Sequence, residues 1–275
     1  MILGTGTKPI RGAQLNRSHP LARGLVGLYL FNEGPGCKRV QNLAVPGSEG
    51  VITATDFQTC WASSDDGGAV EIVAATATGV IECASLSGFK ANKADDISAF
   101  VVYRRTGTFP TGYGTLLANS ASAYNQGLYL LLTNDGLVQN FAKSKATLPS
   151  GWDNGWHAVG YCHCKADNHA NDAFYYDGTP LVTQDDTYDA GDGQNILRIG
   201  KNTSNGHYFQ GRITVVAVWN AALSAGDFMH LARDRYAMIA RPSSVASSFG
   251  GLSRPWIPAA GRGERLGENI GMQAA

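Results

Sequence analysis

Residues 211–235 read GRITVVAVWNAALSAGDFMHLARDR, and the fold can be built outward from them. The stretch alternates briefly and then runs apolar from Ile213 to Trp219, the pattern of a mostly buried strand. Asn220 and Ser224 bracket a turn, and the chain then enters a short helix. On that helix Phe228, Leu231 and Ala232 share a face with Leu223, while Asp227, Arg233 and Asp234 point outward. A helix patterned this way lies apolar side down on the body that holds the strand.

Most other periodic segments read as strands. Asp96–Arg105, DISAFVVYRR, is β-branched or aromatic at Ile97, Phe100, Val101, Val102 and Tyr103. Shorter runs are expected at Gly24–Phe31, Val51–Ala54, Ala69–Val73, Val80–Cys83, Thr115–Asn119 and Gly127–Thr133. The NDG at Asn134–Gly136 turns the chain into Leu137–Ala142, and Trp156–Cys164 follows. Phe174–Tyr176 is closed by Asp177 and Gly178 onto Leu181–Thr183, and Ile196–Gly200 is a last short strand before the opening stretch. Many short strands, turns at intervals of roughly eight to twelve residues and one helix define an all-β chain, a two-sheet antiparallel β-sandwich. The 34 glycines suit so many turns.

Bulk properties narrow the function. An apolar fraction of 44% over 275 residues supports a packed core, and no uniformly apolar segment is long enough to cross a bilayer. Charged residues are only 16% and cancel to a formal net charge of zero, so no single-sign field exists to attract nucleic acid or an anionic membrane. The first twenty residues lack the apolar core of a secretory signal. Five cysteines, Cys37, Cys60, Cys83, Cys162 and Cys164, have no disulfide-framework spacing, and free thiols in a reducing cytoplasm are expected. YCHCK invites a metal reading, but in an extended strand Cys162 and Cys164 face one way and His163 the other.

Three regions follow. Residues 1–23 read as an N-terminal arm broken by Gly4, Gly6, Pro9 and Gly12; residues 24–241 hold the sandwich; residues 242–275 form an extended tail without period. Ends of this composition gain order when something holds them, and the simplest holder is a neighbouring subunit.

Several blocks resemble the laminin-G-like, concanavalin-A-like lectin-glucanase fold (a jelly roll) in the form found in bacteriophage structural proteins. Val218, Asn220, Ala222, Leu223 and Ser224 are similar to its closing strand-to-helix element. His19–Gly36, HPLARGLVGLYLFNEGPG, resembles its opening strand; GWHAVGY at Gly155–Tyr161 and AFYYDGTPL at Ala173–Leu181 resemble its central strand and hairpin. These blocks stand in the family's order from about Pro20 to Arg241. The resemblance implies a virion context and allows a calcium at a loop rim.

Glycosidases on this fold carry carboxylates alternating on one strand. No such run occurs here, and Glu71 and Glu82 read as solvent-facing. GxSxG, phosphate-binding and dinucleotide fingerprints are absent. Asp185, Asp186, Asp189 and Asp192 form an oxygen-rich loop suited to calcium, without EF-hand spacing. Tyr113, Tyr124, Trp152 and Tyr208 lie in loops that can share one rim for a sugar ring, with Asn125, Asn154 and Asn205 nearby. In the tail, Arg241, Arg254, Arg262 and Arg265 interleave with Phe249, Trp256 and Leu266, the aromatic and arginine mixture of protein interfaces. The expectation is a non-enzymatic virion protein, a capsid decoration (cement) protein without cofactor. It would be made in the host cytoplasm, with arm and tail binding a major capsid protein, another virion protein or copies of itself. The alternative is a carbohydrate-binding module of a tail or host-attachment protein. Nucleic acid and membrane are not expected partners.

Overall fold

The computed structural model describes residues 7–54, 57–83, 86, 89, 95–119, 127–140, 144–165, 172–184, 196–202 and 206–240. Among them the first strands are β1 (Leu25–Tyr29), β2 (Arg39–Val40), β3 (Gly50–Ile52), β4 (Trp61–Ser64), β5 (Gly67–Ile72) and β6 (Ile81–Cys83). Next come β7 (Ile97–Arg105), β8 (Tyr113–Ala118), β9 (Tyr129–Thr133), β10 (Leu137–Asn140), β11 (Ser144–Thr147) and β12 (His157–His163). The last are β13 (Ala173–Tyr176), β14 (Thr179–Pro180), β15 (Thr183–Gln184), β16 (Leu197–Ile199) and β17 (Gly211–Trp219), followed by helix α1 (Ala225–Arg233).

β17 is the axis of the first sheet. One edge pairs with β7 along its length, and the other is divided between β5 at Gly211–Ile213 and β1 at Val216–Trp219. The first sheet runs β14-β13-β12-β7-β17-β5-β4 with β1 beside β17, and the second β15-β11-β10-β9-β8-β16-β6-β3-β2. Every strand pairing is antiparallel. The two sheets enclose one core, into which Val101, Tyr103, Ile213, Val216 and Val218 point from the first sheet and Leu130, Leu132 and Ile199 from the second.

β7 and β17 are apolar on both faces because both are covered. Phe100, Val102, Val215, Ala217 and Trp219 face outward and lie with Phe228 and Leu231 of α1 in a second cluster. Burying Phe228 contributes roughly 1.5–3 kcal/mol. Its ring stacks on Tyr175 at 4.2 Å between centroids, and a Cβ on Gly160 would overlap it. Ser224 caps α1 in a reciprocal box with Asp227, Ser224 Oγ accepting from the Asp227 amide and the Asp227 carboxylate accepting from the Ser224 amide.

The N-terminal segment departs from expectation. Residues 7–23 do not stand away from the body. Lys8 is buried, its ammonium donating to the Gly68 carbonyl and to the carbonyl (3.1 Å) and hydroxyl (2.7 Å) of Thr214. Leu15 bridges to Ile239, the Asn16 amide donates to the Met238 carbonyl at 2.8 Å, and the Ala240 amide donates to Gln14 at 2.8 Å. Leu15 and Leu21 join the cluster beneath α1. Apolar leucines and three acceptors for one ammonium hold this strap down, whatever its glycines permit.

Smaller differences have local causes. β2, β4 and β11 are not among the strands expected from the sequence, because runs of two to four residues carry no period of their own and are strands only through their partners. The Asp177–Gly178 turn has both residues at positive φ, 48° and 79°, as a two-residue hairpin turn requires. The return strand therefore starts at once, at Thr179, rather than at Leu181. Thr183 and Gln184 have by then crossed to β11 of the other sheet.

Candidate ligand-binding rim

At one end of the sandwich, four segments meet around Arg105. They are residues 105–114, 133–136, 149–155 and 206–210. The Arg105 guanidinium lies 4.7 Å from the ring centres of both Phe109 and Trp152. Its Nε donates to the Gly107 carbonyl at 2.7 Å and its Nη2 to Asn134 Oδ1 at 2.8 Å, while Asp153 stands 3.9 Å away. Asn134 also accepts from the Phe109 amide and donates back to the Phe109 carbonyl. A single planar cation thus fixes three loops, through two ring faces and two hydrogen bonds. Gly136 is required there: it sits at φ +79°, and a Cβ would come within 2.7 Å of Trp152 Nε1. Beside this hub opens a cleft of about 700 Å³, bordered by Arg104, Arg105, Thr106, Thr108, Asp153 and Asn154.

Next to the hub, Tyr113 begins β8 with 40% of its surface exposed, its ring 5.2 Å from that of His207 and tilted by 31°. The Thr115 amide donates to the His207 carbonyl, and Thr115 bridges to Tyr208. His207 Nδ1 is 3.0 Å from the hydroxyl of buried Tyr129, which accepts from Asn202 Nδ2 at 2.9 Å. Asn202 can only donate to it, which lets the Tyr129 O–H turn to His207 Nδ1. Burial pushes the His207 pKa down, in keeping with a neutral ring that accepts there.

Beneath the cleft, His157 Nδ1 is 2.9 Å from Asp177 Oδ2 and its Nε2 is 2.6 Å from the Asn154 carbonyl. Both ring nitrogens face acceptors, which suits an imidazolium. Burial opposes that charge, but Asp177 and the Asn154 carbonyl outweigh it and the His157 pKa is raised. His157 thereby ties the 149–155 loop to the β13–β14 turn.

Of the residues expected on a sugar rim, Tyr113 and Tyr208 are brought together and Trp152 lies in the adjoining loop. Trp152 is buried against Arg105, and Tyr208 packs partly into the core, so among the described members of this set Tyr113 is the one whose ring is open. Tyr124, the acidic loop of Asp185, Asp186, Asp189 and Asp192, and the tail set Arg241, Phe249, Arg254, Trp256, Arg262, Arg265 and Leu266 lie outside the described residues. Sequence reasoning missed Arg105, His157, His207 and Asn202. Only the RR pair at the end of an apolar strand and the WH dipeptide hinted at the first two.

Other polar groups have structural duties. Glu71 and Glu82 are on different sheets and are ion-paired, Glu71 with Arg212 at 3.3 Å and Glu82 with Lys201 and Arg198 at 3.2 and 3.3 Å. Cys162 lies in the cluster under α1, whereas His163 faces the interior and bonds Asp172 at 2.7 Å. Asp172 also accepts from Ser144 at 2.7 Å and Tyr161 at 3.0 Å, linking the inner faces of both sheets. Ser144 donates to the carboxylate that holds His163. The set therefore resembles a catalytic triad in composition but not in wiring.

No family model matches the sequence, and no curated protein matches it. Solved structures share its fold. The binding domain of Paraclostridial Mosquitocidal Protein 1 superposes with a TM-score of 0.60 at 12% identity, covering 79% of this chain and 53% of that one. The botulinum neurotoxin serotype G binding domain does so with 0.54 at 11%, covering 78% and 51%. Trypanosoma rangeli sialidase gives 0.55 at 14%, covering 78% and 33%. The chain thus spans about half the length of the toxin binding domains and a third of the sialidase, and the likeness is one of β-sandwich fold.

Proposed function

We propose that this chain is a non-enzymatic carbohydrate-binding module that presents the Arg105 rim to a glycan. The observation that carries the reading is an open tyrosine ring, Tyr113, backed by His207 at the end of the 105–114 segment, whose other end is cross-linked to the neighbouring loops by Arg105 and borders a polar cleft of about 700 Å³. A sugar needs an apolar face to stack on and fixed polar groups at its edge, and a preorganised site spares the cost of ordering loops on binding. Two fold relatives described as binding domains support the reading.

Capsid decoration, the reading built on two free ends, has no observation that favours it over this one. The strap at residues 7–23 is engaged with its own sandwich, and the tail lies outside the described residues. A glycan array probed with the full chain tests the proposal. Saturable binding should appear and should weaken at least tenfold in Tyr113→Ala with an unchanged melting temperature. Absence of saturable binding, or a Tyr113→Ala variant that binds as before, overturns it.

A further inference from the structure

Arg104, on the border of the cleft, belongs to a row of side chains that crosses the first sheet. Across the first sheet Glu71 stands opposite Arg212, and Arg212 opposite Arg104. Since His157 pairs with Tyr103, the preceding residue, Trp156, falls beside Arg104. With strands about 4.8 Å apart, the four residues make one line roughly 14 Å long. Their direction follows from alternation: Tyr103 and Ile213 point into the core, so Arg104 and Arg212 point out, and Trp156 packs with the cluster under α1.

Two guanidiniums facing each other on adjacent strands repel. Arg212 is compensated by Glu71 and by the Ser63 carbonyl, both at 3.3 Å. Arg104 is exposed and forms no ion pair among the described residues. The indole Nε1 of Trp156 is buried and has no acceptor among the described residues. Along this row the carboxylate, Glu71, is taken by Arg212, and Arg104 lines the cleft together with Asp153, which stands 3.9 Å from Arg105.

We propose that this row reads an oxyanion substituent, a carboxylate or sulfate, on the glycan whose ring occupies the cleft. The inference rests on the glycan-binding reading of the rim. Arg104 offers a planar fork to the oxyanion, Arg212 adds charge from the next strand, and the indole side of Trp156 borders it. Binding relieves the repulsion between the two guanidiniums, so the anion is favoured over a neutral hydroxyl. A zero net charge leaves no extended field for a nucleic-acid backbone.

The test titrates the full chain with oligogalacturonate, a sulfated heparin oligosaccharide, a panel of neutral oligosaccharides and duplex DNA at one salt concentration. At least one acidic oligosaccharide should bind tenfold or more tightly than the neutral ones, with affinity falling as salt rises; the carboxylate and sulfate arms tell the two oxyanions apart. Arg104→Ala should remove that preference while leaving the melting temperature equal or higher, and Arg104→Lys should keep part of it. Unchanged acidic binding in Arg104→Ala, or duplex DNA bound as tightly as the acidic sugars, overturns the inference. Neutral sugars binding through Tyr113 without acidic preference overturn it while sparing the glycan reading; no saccharide binding at all sinks both.

Discussion

Arg105 shows how much shape one side chain can set. A lysine at that position would offer a point charge without the flat face that fits between Phe109 and Trp152. His157 performs a similar task one layer down, and its behaviour with pH follows from its partners. A histidine whose folded pKa is raised above its ordinary 6.5 stabilises fully below that value and loses its contribution as pH rises through the folded one. His157→Gln should therefore cost more stability at pH 6 than at pH 8, measured by urea unfolding. An NMR titration of the wild type should place the His157 midpoint above 6.5. A midpoint at or below 6.5 would show that Asp177 does not hold a charged ring.

At the level of elements, the join between α1 and the first sheet depends on a missing atom. Gly160 on β12 leaves the space that the Phe228 ring fills, and Tyr175 closes it from the next strand. Gly160→Ala forces ring and strand apart and should cost about 1–3 kcal/mol in chemical denaturation, as overpacked sites do. Gly226, within α1, makes a useful contrast, since a Cβ there meets only Ser224 Oγ at 3.6 Å. Gly226→Ala should be neutral or stabilising through helix propensity. Equal losses from both substitutions would mean that the Phe228 contact does not set the helix position.

For the whole molecule, the strap decides how the open side of the first sheet is finished. Lys8 lies among Asp66, Glu33 and Arg235; burial pulls its pKa down to about 7, against the pull of the two carboxylates. Asp66 in turn holds Arg235 at 3.2 Å and accepts from Tyr236. Lys8→Ala removes the ammonium from which the Gly68 carbonyl and both Thr214 oxygens accept, leaving the Gly68 carbonyl only the Thr214 and Ser64 hydroxyls, and should destabilise by about 1–3 kcal/mol. Hydrogen exchange should then rise at Asn16 and Ala240, the two amides that stitch the strap to residues 236–240. Unchanged protection at both amides would mean that Lys8 does not anchor the strap.

The sequence by itself determined the elements whose residues carry their own period or turn chemistry: β7, β17 and α1, the Asp177–Gly178 turn, and hence a two-sheet β-sandwich. Only the tertiary structure decided which loops meet at the rim, that Lys8 is buried, and that Arg104, Arg212 and Trp156 share a row. Periodicity is a property of neighbours along the chain, whereas these sites join residues up to about two hundred positions apart. A strand of two residues, or an arginine between two rings, has no local signature and is fixed only by the partners that folding brings to it.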